Sequence, residues 1–127
     1  MGTNQFLRDA RDFEEKTRQI LSEKWNVPIK KLEVAIGNEY KKKFDCVSQD
    51  RKYVGDAKYL KNIENPAAKW AGIAEFVWLL EQVKAEHKFL VFGNGREVPV
   101  RWLKRHKSLL KNVTFYFLNG QEIENLN

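Results

Sequence analysis

Three side chains stand out for the chemistry they could do together. Asp45 lies in the run Phe44-Asp45-Cys46-Val47-Ser48, and Asp56 and Lys58 lie in Tyr53-Val54-Gly55-Asp56-Ala57-Lys58. Both runs are β-prone, and the polar stretch Gln49-Asp50-Arg51-Lys52 between them reads as the turn of a hairpin. A turn centred between Asp50 and Arg51 sets Asp45 directly across from Asp56. Alternation then puts Lys58 on the same side as Asp56. Directly opposed residues have Cβ atoms about 4.5–5.5 Å apart. Two carboxylates held that close repel, and one takes up a proton unless a cation sits between them. A hard divalent ion is the cation that such oxygen ligands suit, and the Lys58 amine can reach the same spot. The competing reading is of ordinary strand-edge acids paired with Lys43 and Lys58. Opposed like charges are a costly way to build a sheet, which favours the reactive reading.

The elements that must position these residues follow from periodicity. Phe6, Ala10, Phe13, Thr17, Ile20, Leu21 and Trp25 recur at three- and four-residue steps, so a first helix is expected over about 4–25, with Pro28 beyond its end. From Lys31 the period becomes two: Leu32, Val34 and Ile36 point one way, and Gly37-Asn38 closes a first strand. The hairpin follows. Asn62 or Asn65 with Pro66 then opens a long helix to about Glu86. His87 to Phe92 reads as a buried strand ended by the Gly93-Asn94-Gly95 turn, Pro99 to Lys111 as a short helix, and Val113 to Leu118 as a last strand, with the tail left open. The expected fold is α/β, a single domain over residues 1–127 with a mixed central sheet in the order α-β-β-β-α-β-α-β. Its three early strands form an antiparallel meander, and its later strands, separated by helices, are parallel neighbours.

The Asp…Asp-x-Lys arrangement, set in that order of elements, resembles the signature of the PD-(D/E)XK nuclease superfamily. The resemblance implies a restriction-endonuclease-like fold over about residues 4–93, with the last helix and strand as an extension. It also implies a magnesium-dependent (or manganese-dependent) endonuclease that hydrolyses phosphodiester bonds in DNA, less often in RNA. As letters the motif is common: Glu14-Glu15-Lys16, Glu39-Tyr40-Lys41 and Glu86-His87-Lys88 spell similar triplets. The Asp56 copy differs from these in lying on the second arm of a hairpin with an aspartate opposite. The family often adds an acid from the first helix. Glu14 ranks above Glu15 for that role, because its helical steps lead beside the apolar stripe, although a surface acid remains its alternative. By the same resemblance Asp45, Asp56 and the Ala57 carbonyl would hold the metal, and Lys58 would orient or deprotonate the attacking water.

The remaining features bound the partners. Over the 127 residues, 23 Lys and Arg outnumber 17 Asp and Glu to give a net charge of +6, compatible with a nucleic-acid partner. Arg101, Lys104, Arg105 and Lys111 share the expected outer face of the 99–111 helix and are the candidate phosphate contacts, against a plain solubility surface. Lys41-Lys42-Lys43 reads as a solvated strand edge. His87 and His106 lack ligand partners and read as structural. A single cysteine, Cys46, excludes an internal disulfide and a Cys-built zinc site, and it reads as packing. No apolar run reaches the ~20 residues of a membrane span, and Arg8, Asp9, Arg11 and Asp12 stand where an export signal would need its apolar stretch, so a cytoplasmic protein is expected. Residues 71–80 carry one charge, Glu75, and leave Phe76, Trp78 and Leu79 over after the sheet is covered; a homodimer through the 66–86 helix would use them. The alternative to a nuclease is a non-catalytic nucleic-acid-binding or assembly protein that keeps the fold, and a third reading is an α/β interaction protein using its helix surface alone.

Overall fold

A computed structural model describes residues 2–60 and 66–127, without the side chains of residues 2–4, 6 and 66–69. The expected caps Asn62 and Asn65, and the Phe6 side chain, lie outside the described residues. The chain runs α1 (Gly2–Trp25), β1 (Ile29–Ile36), β2 (Tyr40–Ser48), β3 (Tyr53–Tyr59), α2 (Pro66–Glu81), β4 (His87–Gly93), α3 (Glu97–His106), a 3-10 turn (Lys107–Leu109), β5 (Val113–Asn119) and β6 (Glu122–Asn125). All six strands form one sheet in sequence order. β1–β2–β3 is an antiparallel meander, β3–β4 and β4–β5 pair in parallel, and β5–β6 is an antiparallel hairpin. The expected α/β architecture therefore holds, with a sixth strand that the open reading of the tail did not include. Gly120 (φ +65°) supplies the left-handed backbone for the two-residue Gly120-Gln121 turn that starts it.

Because the strands run in sequence order, the β3–α2–β4 and β4–α3–β5 crossovers go the same way and place α2 and α3 on one face of the sheet. That face buries Phe44, Val47, Val54, Leu80, Leu90, Phe92, Trp102 and Phe115. α1 covers the other face through Phe13 and Leu21, against Cys46, Ala57, Phe89, Val91 and Tyr116. β4, covered on both sides, is buried from Lys88 through Gly93, as its unbroken apolar run requires.

Two helix ends depart from the periodicity. α2 stops at Glu81, not near Glu86. Its backbone tightens there, with Gln82 N–H donating to the Leu79 carbonyl and Val83 N–H to that of Leu80, and Val83 turns into the core. Buried Lys88 then ties the Val83 carbonyl and lies 3.7 Å from Glu81. α3 ends at His106, not Lys111. The 3-10 turn swings Leu109 outward to 70% exposure, and Lys111 lies beyond the helix, its N–H donating to the Glu81 carboxylate. Among the described residues no helix is long and apolar enough to cross a membrane.

The hairpin is built from its turn. Arg51 takes a left-handed φ of +61°, and its N–H donates to the Ser48 carbonyl. Buried Ser48 Oγ donates to Asp50 and accepts from Tyr53 N–H. That turn sets Val47 opposite Val54 and Cys46 opposite Gly55, the register expected from a turn centred between Asp50 and Arg51. Gly55 is required by what lies beneath it, since a Cβ there would sit 2.4 Å from the Phe89 carbonyl oxygen and 2.5 Å from its ring. Gly55→Ala is expected to destabilise the fold by about 1–3 kcal/mol through overpacking. Urea unfolding followed by Trp fluorescence measures this, and an unchanged midpoint would contradict it.

Candidate functional site

The site begins where the β2–β3 ladder stops. Beyond Cys46–Gly55 no further residue pair joins the two strands. Side chains take over: Asp45 N–H donates to Asp56 Oδ1 (2.9 Å), and Ala57 N–H donates to Asp45 Oδ2 (3.0 Å). Each aspartate thus supplies the acceptor that a neighbouring strand carbonyl would otherwise provide.

A bulge in β2 produces this geometry. Lys30 pairs with Val47 and Leu32 with Phe44, so Lys31 alone opposes both Asp45 and Cys46. Phe44 and Val47, three positions apart, consequently pack on the same α2/α3 side, while Cys46 packs on the α1 side. The expectation that both acids point to one face is corrected here. Asp45 Oδ1 turns toward Lys31 (3.9 Å), close to Glu14 of α1, whereas Asp56 Oδ2 turns toward Lys42 (3.4 Å), beside Phe44 and Phe76 on the α2 side. The acids still meet, through the gap between the strands and not across one face.

Burial sets the electrostatics. Asp56 is 2% exposed; burial raises its pKa first, the Asp45 charge raises it further, and Lys58 and Lys42 oppose both. Lys58 shifts the other way. Burial lowers its pKa while the Asp56 and Asp45 charges resist, and its Nζ lies 3.3 Å from the centroid of the Phe76 ring. Glu14 is raised, by burial first and by Asp45 second, with Lys31 and Arg18 each 4.0 Å from its carboxylate. Arg18 also donates to the Asp45 carbonyl. The structure therefore gathers Asp45, Asp56, Lys58 and Glu14, and leaves Glu15 exposed. Ala57 is buried in β3 with its amide on Asp45.

The solvated-edge reading of Lys41-Lys42-Lys43 is corrected at Lys42, which lies on an inner strand, 22% exposed and 3.4 Å from Asp56, and Lys31 was not singled out as a partner of the acids. Lys42 and Lys31, not Lys43, are the basic partners of the acids. The signal for Lys42 was parity, since it lies two residues before the core residue Phe44 and so shares its face. Lys31 depends on the bulge, which left no mark in the pattern.

Carboxylates are the ligand type that suits a hard divalent ion, but here each gives one oxygen to a backbone amide and turns the other toward a lysine on a different side of the sheet. Among the described residues no group of three or more His, Cys, Asp or Glu side chains is disposed to hold a metal ion, and lysine ammonium groups supply the positive charge there.

Elsewhere, Arg101, Lys104, Arg105 and Lys111 are all exposed. Arg101 pairs with Glu97, Arg105 lies over the Trp70 ring, and Lys111 stands off the α3 face that it was expected to share. His87 accepts or donates at Tyr116 Oη (2.9 Å) within the Trp25–Tyr53–Phe89 aromatic cluster, and His106 packs against Trp70 and Trp102. Burial pushes the Cys46 thiol well up, which suits packing. Comparison with family models, with characterised proteins and with solved structures finds no match.

The Asp56 shift fixes a sign. Its folded pKa lies above the unfolded value, so the wild-type protein loses stability as pH rises through the carboxylate range toward the folded pKa. Asp56→Asn keeps an acceptor for Asp45 N–H without the buried charge. It is expected to melt above wild type at pH 7, with the gap closing as pH falls below the unfolded value. Thermal melts from pH 3 to 8 test this; a variant less stable at pH 7 would contradict it.

Proposed function

We propose that this chain is a magnesium-dependent nuclease of restriction-endonuclease-like fold that hydrolyses phosphodiester bonds in DNA. One observation supports the reading: buried Asp56 and half-buried Asp45, whose charges repel, with a desolvated lysine alongside, set where the β2–β3 ladder stops beside a β2 bulge. The order of elements, a helix and three-strand meander followed by helix and parallel strand, agrees with that fold.

Asp45 and Asp56, with the Ala57 carbonyl, would hold the ion, and Glu14 would complete the acidic wall. When bound, a divalent ion there supplies a water of lowered pKa and charge to offset that on the scissile phosphate. Lys58 carries the proton work. Its burial favours the neutral amine, which can accept a proton from water, and its protonated form can steady negative charge on the phosphate. The Phe76 ring fixes where that amine stands. The exposed base-rich stretch Arg101, Lys104, Arg105 and Lys111 would contact DNA phosphates without reading sequence.

Support for a non-catalytic, DNA-binding protein of the same fold comes from the lysine pairing of both acids. A homodimer through α2 has less surface to use than the sequence implied. Phe76 and Leu79 pack against the core, and Trp78, 62% exposed, is left facing outward.

Supercoiled plasmid with Mg2+ or with chelator tests the assignment. Wild type is expected to nick only with the metal, Asp56→Ala to lose about 10²–10³-fold or more of that rate, and Lys58→Met to lose about 10²-fold. Undiminished nicking by Asp56→Ala refutes the site, and DNA retention without nicking favours the binding protein. Substituting Arg101 and Lys104 by Ala is expected to flatten the slope of log K against log salt by roughly two for duplex DNA. An unchanged slope would remove them from the interface.

A further inference from the structure

A cavity of about 220 Å³ lies between α2 and the β3–β4 strands. Leu60, Ile73, Phe76, Leu90 and Phe92 make its apolar walls, and Lys58 is the ionisable side chain among its described lining residues. An apolar cavity of roughly 150 Å³ is enough to hold benzene. This one admits a single ring with a short side arm.

Two residues at its edge are left unexplained by packing. Gly72 is exposed inside α2, where glycine is the least favourable residue after proline. A Cβ there would meet nothing within 4 Å, so no neighbour forbids a side chain, and the glycine leaves the cavity mouth open. Lys58 has no carboxylate oxygen of its own. Asp56 Oδ1 accepts from Asp45 N–H and Oδ2 faces Lys42, while Asp45 Oδ2 accepts from Ala57 N–H and Oδ1 faces Lys31. Among the described residues Lys58 makes no ion pair or hydrogen bond, and its Nζ rests on the Phe76 ring. On the α2 side Lys42 and Lys58 therefore stand against one acid of the pair, Asp56, which leaves a half-buried ammonium in surplus.

We infer that this cavity is a binding site for a small amphipathic anion, an apolar body of about one ring carrying one carboxylate, with the body between α2 and β4 and the carboxylate on Lys58 Nζ. The walls reward burial of the body, and the ammonium, with three donors, supplies a charge-assisted hydrogen bond that fixes its orientation. A neutral analogue of the same shape forfeits that bond, and an amine meets like charge. The inference needs neither metal nor DNA and stands apart from the nuclease reading.

Titration of the isotope-labelled full chain with phenylacetate, followed by amide chemical shifts in NMR spectra, tests this. Saturable shifts are expected at Gly72, Ile73, Phe76 and Leu90. Phenethyl alcohol is expected to bind about tenfold more weakly than the acid, and Lys58→Met to bind the acid about tenfold more weakly than wild type. Gly72→Leu puts a side chain at the mouth and favours the helix; it is expected to lose the shifts while melting no lower than wild type. No shifts in the wild type, shifts mapping to another part of the chain, or shifts unchanged in folded Gly72→Leu overturn the cavity as the site. Equal affinity for acid and alcohol, or undiminished affinity of Lys58→Met for the acid, overturns the anionic class. The map of shifted amides and the Lys58→Met comparison decide the matter even where Gly72→Leu fails to fold.

Discussion

The organisation of this protein depends on the point where two antiparallel strands stop exchanging backbone hydrogen bonds. At Asp45 and Asp56 the carboxylates take over as acceptors for the amides of Asp45 and Ala57. An open ladder inside a sheet leaves buried donors that cost free energy unless something accepts them. Short acidic side chains can reach back to those amides, and in doing so they are drawn into one gap. The same bonds that satisfy the backbone therefore concentrate negative charge. The surroundings are arranged to oppose it: Lys42 and Lys31 approach the outer oxygens, and Lys58 stands alongside on Phe76.

Such a cluster survives only on a rigid platform. β3, β4 and β5 are parallel and largely buried, with α1 on one face and α2 and α3 on the other. Gly55, adjacent to the site residue Asp56, admits the Phe89 ring against the backbone, so β3 and β4 lie together without a side chain between them. Phe76 has a comparable role from α2: it belongs partly to the core and partly to the lysines. The apolar surplus of α2 thereby acquires a use in shaping charge positions, beyond covering the sheet.

Burial does different work on each ionisable group. It pushes Asp56 and Glu14 toward the neutral acid and Lys58 toward the neutral amine, while their mutual charges act in both directions. Elsewhere on the α1 face the aromatic cluster of Trp25, Tyr53, His87, Phe89 and Tyr116 makes a neutral contrast, with Tyr116 Oη hydrogen-bonded to His87 Nε2.

Much was determined by sequence alone. The three- and four-residue stripe of α1, the alternation of β1, the Asp50-Arg51 turn and the apolar run of β4 are local patterns, and local patterns fix element type and hairpin register without reference to the rest of the chain. The nearness of Asp45 to Asp56, and Lys58 sharing the Asp56 side, follow from that register, and Glu14 from helical parity. Tertiary structure decided what depends on contacts distant in sequence. The bulge that turns Asp45 toward α1 exists because β1 opposes β2 with one residue too few, which no alternation within β2 reveals. The pairing of Lys42 and Lys31 with the acids needs that bulge and the Phe44–Phe76 wall. The early ends of α2 and α3 reflect Val83 turning inward and Glu81 capturing the Lys111 amide, choices made by packing and by buried polar partners after the local period had run out.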